Sequence, residues 1–377
     1  MISDQCIKSI IPFNMALMLA FIVALCSISF SIHLKDELQF TASDMLAILV
    51  DSLATLALFY AARRSSVYGR QVRLAWTVLA LALVAHTLGD IAWAYTEIVL
   101  DQPPFPSVAD WLFLIHYPLL IAGILLLPTQ SLTSSERLKV MLDEGIVIIA
   151  SVIIFWVVLI APTIESSAGA IFRTQALSVA YPVLGLMLLL ALVELLLRRI
   201  RFQQMGPVLL LVMGTIVMII ADLILAYQSL NNIYDSGGIW DVGWIMAYSM
   251  IGLAGILQAS TSPRDAPPFQ KVPSEEPAYA RTVASSASPY ALDSGMVRFP
   301  GAHYIPYIFV AGAYIILIWS FDRPLAISTP HLSYSVGGII GLIVIRQIVA
   351  LKENERLFQT SKRAEEECQD CLCSELF

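Results

Sequence analysis

The sequence predicts an all-α polytopic membrane protein of about ten transmembrane helices, eight of them forming two parallel four-helix repeats. Three observations predict this: ten long apolar runs, a sharp alternation of Lys and Arg between them, and Asp and Tyr residues that recur about 132 positions apart. The runs lie at roughly 11–32, 44–62, 74–95, 108–128, 142–162, 174–197, 206–228, 239–259, 302–320 and 331–351. Each is long enough to cross a hydrocarbon core of about 30 Å as a helix. Helices are the open-ended elements that satisfy their own backbone in lipid.

The connections sort the basic residues. One side holds Lys8; Arg63, Arg64, Arg70 and Arg73; Arg137 and Lys139; Arg198, Arg199 and Arg201; Arg264, Lys271, Arg281 and Arg298; and Arg346, Lys352, Arg356, Lys362 and Arg363, which is 19 of the 22 Lys and Arg. The other side holds Lys35, Arg173 and Arg323. The positive-inside rule then puts both termini in the cytoplasm and makes the span count even. The expected location is the plasma membrane, multi-pass.

Composition agrees. A chain that is 58% hydrophobic and 14% charged, with mean hydropathy +0.76, is not a soluble globule. The net charge of −7 gives no nucleic-acid footprint, because the basic residues serve topology. Cys6, Cys26, Cys368, Cys371 and Cys373 all fall outside the outer loops, so no extracytoplasmic disulfide framework is expected. The N-terminus runs into a span-length apolar stretch with no A-x-A-like site behind it, and reads as an uncleaved first span.

Five segments follow: a first four-span repeat (1–132), a second (133–259), a flexible cytoplasmic linker (260–301), a terminal pair of spans (302–351) and a cytoplasmic helical tail (352–377). The linker is rich in Pro, Ser and Ala and has little to bury. The tail, RQIVALKENERLFQTSKRAEEECQDCLCSELF from Arg346, has high helix propensity. Spacing of four and three places Ala350, Asn354, Leu357, Ser361, Ala364, Cys368 and Cys371 on one face, compatible with a short parallel coiled coil or with a solvated helix end.

The duplication rests on particular residues. Asp90 matches Asp222 and Tyr95 matches Tyr227 at an offset of 132, while Asp110 matches Asp241 and Tyr117 matches Tyr248 at 131. Four spans per unit is an even number, so the two units run parallel about an axis along the membrane normal.

The run GDIAWAYTEIVLDQPPFPSVADWLFLIHYPLLIAGILLLP (89–128) resembles the membrane-embedded N-terminal region of bacterial and archaeal signalling proteins, namely sensor diguanylate cyclases and PAS-containing histidine kinases. The likeness is carried by the Gly-Asp near the end of one span, the P-F-P-S-x-A-D that leads into the next, and the Tyr-Pro within it. LDEGIVIIASVIIFWVVLIAP (142–162), the AYP at 180–182 and RQIVALKENERL (346–357) extend it. In that family the exit helix feeds a PAS, kinase or cyclase domain. This sequence ends at Phe377 with no GGDEF-type motif and no H-box. The resemblance therefore implies either a sensor whose output partner is a separate kinase, cyclase or PAS-domain protein, or a truncated gene. The seam along the tail makes a homodimer through the C-terminal helix the other expected partner.

Ionisable residues inside spans are costly and point to function first. Asp90 lies near the outer end of its span with His86 one turn deeper, and Asp110 opens the next span with His116 two turns in. Trp93, Trp111 and Tyr117 surround them, and Asp222, Asp241, Trp240, Trp244 and Tyr248 form the second copy. One reading is a ligand pocket built from His86, Asp90, Trp93, Asp110, His116, Tyr117, Asp222, Asp241 and Tyr248. The other is capping and interhelical hydrogen bonding, since Ser107-x-x-Asp110 and Thr41-x-x-Asp44 both read as capping boxes.

Asp51, two turns into the second span, is placed to join the network. Glu194 is expected to pair with Arg198, and Asp143 and Glu144 to cap the start of the fifth span.

Two His and two Asp have the donor types for zinc, but His86 and His116 have no counterparts in the second copy and their spacing is not diagnostic. Neither a metal nor a cofactor is expected. Cys368-x-x-Cys371-x-Cys373 lacks a fourth ligand for a structural zinc site. No catalytic motif is present. The expected function is a sensory or regulatory membrane module reading an extracytoplasmic or bilayer signal, with a small-solute or ion transporter or channel as the alternative.

Overall fold

The computed structural model describes residues 3–33, 36–103, 105–129, 134–166, 172–201, 205–231, 233, 238–260, 296–299, 301–322 and 329–374. It is all-α apart from one short ribbon. The helices are α1 (Ser3–His33), α2 (Asp36–Arg64), α3 (Arg70–Ala94), α4 (Val108–Leu125), α5 (Ser134–Phe155), α6 (Ala161–Ser166), α7 (Phe172–Leu197), α8 (Met205–Leu230), α9 (Val242–Ser260), α10 (Ile305–Asp322) and α11 (Thr329–Ser374). A π turn, Trp156–Ile160, joins α5 to α6 within one span, Arg137–Ser166.

Among the described residues nine helices are long and apolar enough to cross a membrane. The expected first span falls on α1, whose described apolar stretch is Phe13–Ile28. The chain is a polytopic membrane protein.

The chain forms two compact units. One comprises 1–130 and 159–300, the other 131–158 and 301–377. In the first, α3 packs between α2 and α4, α9 packs on α1, α2 and α8, and α4 packs on α7. The α2–α9 approach is close because α9 carries glycine at the contact. A Cβ on Gly252 would sit 2.8 Å from the Ala54 Cα, and one on Gly255 would sit 2.9 Å from the Ala57 carbonyl oxygen. Glycine there lets the two backbones meet, as small residues do between helices in lipid.

Strand β1 (Arg199–Arg201) pairs antiparallel with β2 (Met296–Arg298), with Ile200 opposite Val297. The linker expected over 260–301 therefore ends in a strand. Residues 261–295, its main part, lie outside the described residues. The ribbon joins two segments that the basic-residue pattern assigned to one face of the membrane. Gln258 likewise donates to the Ser65 hydroxyl at 3.3 Å, and Gln71 to the Leu126 carbonyl at 3.2 Å, each pairing two segments assigned to that same face.

In the second unit α5 packs with α10 and α11 around Ile146, Ala150, Ile153, Ala313, Leu332, Val336 and Ile339. Residues 131–158, which the sequence placed in the second four-span repeat, thus group with the terminal pair.

Two capping expectations are corrected. Helix α2 begins at Asp36 and α5 at Ser134, so Thr41, Asp44, Asp143 and Glu144 sit inside helices that are already under way. Hydropathy marks where lipid begins, while the helix starts in the polar residues ahead of it.

Candidate functional site

The site lies inside the first unit. His86 and Asp90 are four residues apart on α3, so they share one face. That face meets Asp51 of α2. The His86 Nδ1 stands 2.8 Å from Asp51 Oδ2 and 3.2 Å from Asp90 Oδ2. Asp51 is 2% exposed, and the side chains of His86 and Asp90 are 13% and 16% exposed. The Asp90 contact is off the hydrogen-bond line, and Asp90 Oδ2 has no hydrogen-bond partner. The expectation that Asp51 belongs with His86 and Asp90 therefore holds in the geometry.

Aromatic rings close over His86. Tyr248 of α9 lies 4.2 Å away between ring centroids, His116 of α4 4.9 Å and Phe113 5.0 Å. The Tyr248 hydroxyl is directed elsewhere, to Met218 Sδ at 3.2 Å. His116 is 1% exposed and donates from Nδ1 to the Ala82 carbonyl at 2.9 Å. That bond fixes the tautomer of the neutral ring, so Nε2 presents a lone pair. The Nε2 is buried with no hydrogen-bond partner.

A second group of residues holds Asp222 of α8. The Tyr117 hydroxyl donates to Oδ2 at 2.8 Å, and the Trp244 indole N–H donates to Oδ1 at 2.9 Å. Two neutral donors thus serve the two carboxylate oxygens. Tyr117 comes from α4 and Trp244 from α9, so Asp222 ties three helices together. The Tyr117 ring lies 5.7 Å from His116 and 6.4 Å from Tyr181 of α7. These rings form a continuous polar and aromatic chain from α2 to α7.

Asp110 ends that chain. The Tyr181 hydroxyl donates to its Oδ1 at 2.7 Å, while Oδ2 accepts from the Ser107 N–H at 2.6 Å. The Ser107 hydroxyl accepts from the Ala109 N–H at 3.1 Å, completing the expected capping box. Asp110 thus serves as a cap and an interhelical acceptor.

Two of the sequence-derived residues stand apart. Trp93 donates to Glu97 on its own chain segment at 3.0 Å. Asp241 lies half-buried in the short turn Ile239–Asp241 that leads into α9, and it is not among the partners of Asp222. Tyr181 was missed as a site residue, although its Ala-Tyr-Pro segment had been picked out. A tyrosine directly before a proline inside a span was the available signal.

The second unit has its own buried charge pair. Arg346 of α11 binds Asp143 of α5 through Nε at 2.8 Å and Nη2 at 3.3 Å, and it meets the Tyr307 hydroxyl at 3.2 Å. The sequence had assigned Arg346 to topology and Asp143 to a cap. Glu194 and Arg198 pair on α7 as expected from their spacing. The tail cysteines lie outside the described side chains.

Comparison of the chain with protein-family models, with curated proteins and with solved structures finds no match.

Proposed function

We propose that the protein is a sensory or regulatory module of the plasma membrane with both termini in the cytoplasm. A signal from the outer face or the bilayer passes to a cytoplasmic partner through the C-terminal helix. The observation that carries this reading is α11, 46 residues without a break, of which Pro330–Lys352 is the apolar span. At 1.5 Å per residue such a helix is about 69 Å long, more than twice the roughly 30 Å hydrocarbon core. A rigid rod of this length carries a small rotation or shift out of the bilayer. The bidentate grip of Asp143 on Arg346 gives it a fixed bearing near the end of the span.

Pairing of α11 with a second copy belongs to this reading, through the face that carries Ala350, Asn354, Leu357, Ser361 and Ala364. The internal duplication is part of the same reading. The cross-contacts support it, since Tyr117 of the first copy serves Asp222 of the second while Tyr248 of the second covers His86 of the first.

The test is single-cysteine cross-linking along 350–364 in a background without native cysteines. A period near 3.5 that picks out Ala350, Asn354, Leu357, Ser361 and Ala364 is expected for a paired signalling helix. Uniformly weak cross-linking overturns it. Small-solute or ion transport is the second reading, favoured by the Asp51–His86–Asp90 cluster within the bundle. Solute or ion flux in proteoliposomes that Asp51→Asn abolishes would establish it.

A further inference from the structure

We propose that Asp51, His86 and Asp90, with His116 as a fourth donor, bind one divalent first-row transition-metal ion of the zinc class. This goes beyond the sensory reading and does not depend on it.

The donor set is the starting point. One ligand atom from each of Asp51, His86 and Asp90 lies within 4.8 Å of the other two; His116 offers no nitrogen within that reach of all three, so it joins as a fourth donor only by closing on the bound ion. Oxygen and imidazole nitrogen at about 2.0–2.2 Å from a tetrahedral ion stand about 3.3–3.6 Å from each other. The 3.2 Å contact of His86 with Asp90 is already near that edge, and the 2.8 Å contact with Asp51 needs to open by about half an ångström to reach it.

Charge points the same way. Two carboxylates lie inside a helix bundle built for lipid, and among the described residues their ion-pair contacts are with His86. The nearby Tyr248 hydroxyl does not serve them, because it donates to Met218. Buried charges persist when they are paired or coordinate a metal. The free position on Asp90 Oδ2 leaves a lone pair for the ion.

His116 supplies the independent observation. Its ring stands edge-on to His86 at 4.9 Å, and its Nε2 is buried without a partner. Its Nδ1–H is held by the Ala82 carbonyl. Donation of the outer ring N–H to a backbone carbonyl is the arrangement that orients metal-binding histidines and frees the other nitrogen. Nothing else among the described residues accounts for that free nitrogen. Two carboxylates and two imidazoles suit zinc better than calcium or magnesium, which take oxygen ligands.

The experiment uses the full chain in detergent, stripped with chelator, with Cys368, Cys371 and Cys373 changed to serine so that tail thiols bind nothing. Zinc titration by calorimetry is expected to give one equivalent per chain. Asp51→Asn, His86→Gln and Asp90→Asn are each expected to lower the affinity at least a hundredfold, and His116→Ala at least tenfold, in protein that elutes as the parent does. X-ray absorption on the zinc-loaded parent, which needs no variant, is expected to show an oxygen and nitrogen shell with imidazole scattering. No stoichiometric zinc in the parent, a sulfur shell, or undiminished binding in a folded Asp51→Asn/His86→Gln/Asp90→Asn variant overturns the proposal. Unchanged affinity in His116→Ala overturns the fourth ligand.

Discussion

Asp90 and Asp222 occupy matching sequence positions, 132 residues apart, yet the protein treats them in opposite ways. Asp222 is saturated by Tyr117 and Trp244, one neutral donor to each oxygen. Asp90 leans on an imidazole and keeps an oxygen without a hydrogen bond. A buried carboxylate whose acceptors are filled by its own fold has a structural role. One that is left open, beside a second carboxylate and a histidine, is free to engage something else. The α2–α3–α4 side holds the histidines and the open valence, while Asp222 of α8 belongs to the scaffold.

Removing each carboxylate sharpens that contrast. Asp222→Ala leaves the Tyr117 hydroxyl and the half-buried Trp244 N–H without their acceptor. At about 1–3 kcal/mol for each orphaned group, the loss is about 2–6 kcal/mol, read by unfolding in detergent. Asp222→Ala is also expected to keep the neighbouring Asp51–His86 contact, which an unperturbed imidazole NMR signal would report.

Ser107→Ala removes the cap of α4 and is expected to cost about 1 kcal/mol in the same unfolding measurement. Asp90→Asn, tested in chelator, keeps the shape and removes only an off-line contact, so its expected cost is under about 1 kcal/mol. A larger loss from Asp90→Asn than from Asp222→Ala would break the comparison.

The smallest effect lies at Gly238, the position matching Ser107 at an offset of 131. It precedes the turn into α9 with an extended backbone and no side-chain cap. Gly238→Ser is expected to gain a few tenths of a kcal/mol, the usual margin of serine over glycine at a helix start. A gain as large as the loss in Ser107→Ala would mean that α4 and α9 depend alike on a cap at this position.

What the sequence made legible follows the range of each interaction. Spans were readable because twenty apolar residues announce themselves without knowledge of neighbours. The Ser107–Asp110 box and the Glu194–Arg198 pair were readable because three- and four-residue spacings fix the geometry along one helix. Helix starts were misread at α2 and α5, where polar residues continue the helix beyond the lipid-compatible segment. The partnerships of Tyr181 with Asp110 and of Arg346 with Asp143 join residues 71 and 203 positions apart, and no local pattern carries such pairings. The two matching aspartates were found, but the difference between their surroundings was not, because it comes from α2, α4 and α9.

The Asp143–Arg346 pair also has a consequence in time. During synthesis at about 5–20 residues per second, the 203 residues that separate the partners take about 10–40 s to appear. Throughout that interval α5 enters the bilayer with a carboxylate whose cation does not yet exist. Asp143 sits near the N-terminal end of its span, Arg137–Ser166, where a lone Asp costs less than the about 2.5–3.5 kcal/mol of the helix centre on insertion scales. The nascent helix can therefore keep Asp143 near the aqueous boundary during the wait. Arg346 then brings the partner that Asp143 holds in the finished fold. A chain arrested before residue 346 would leave α5 as its least committed span.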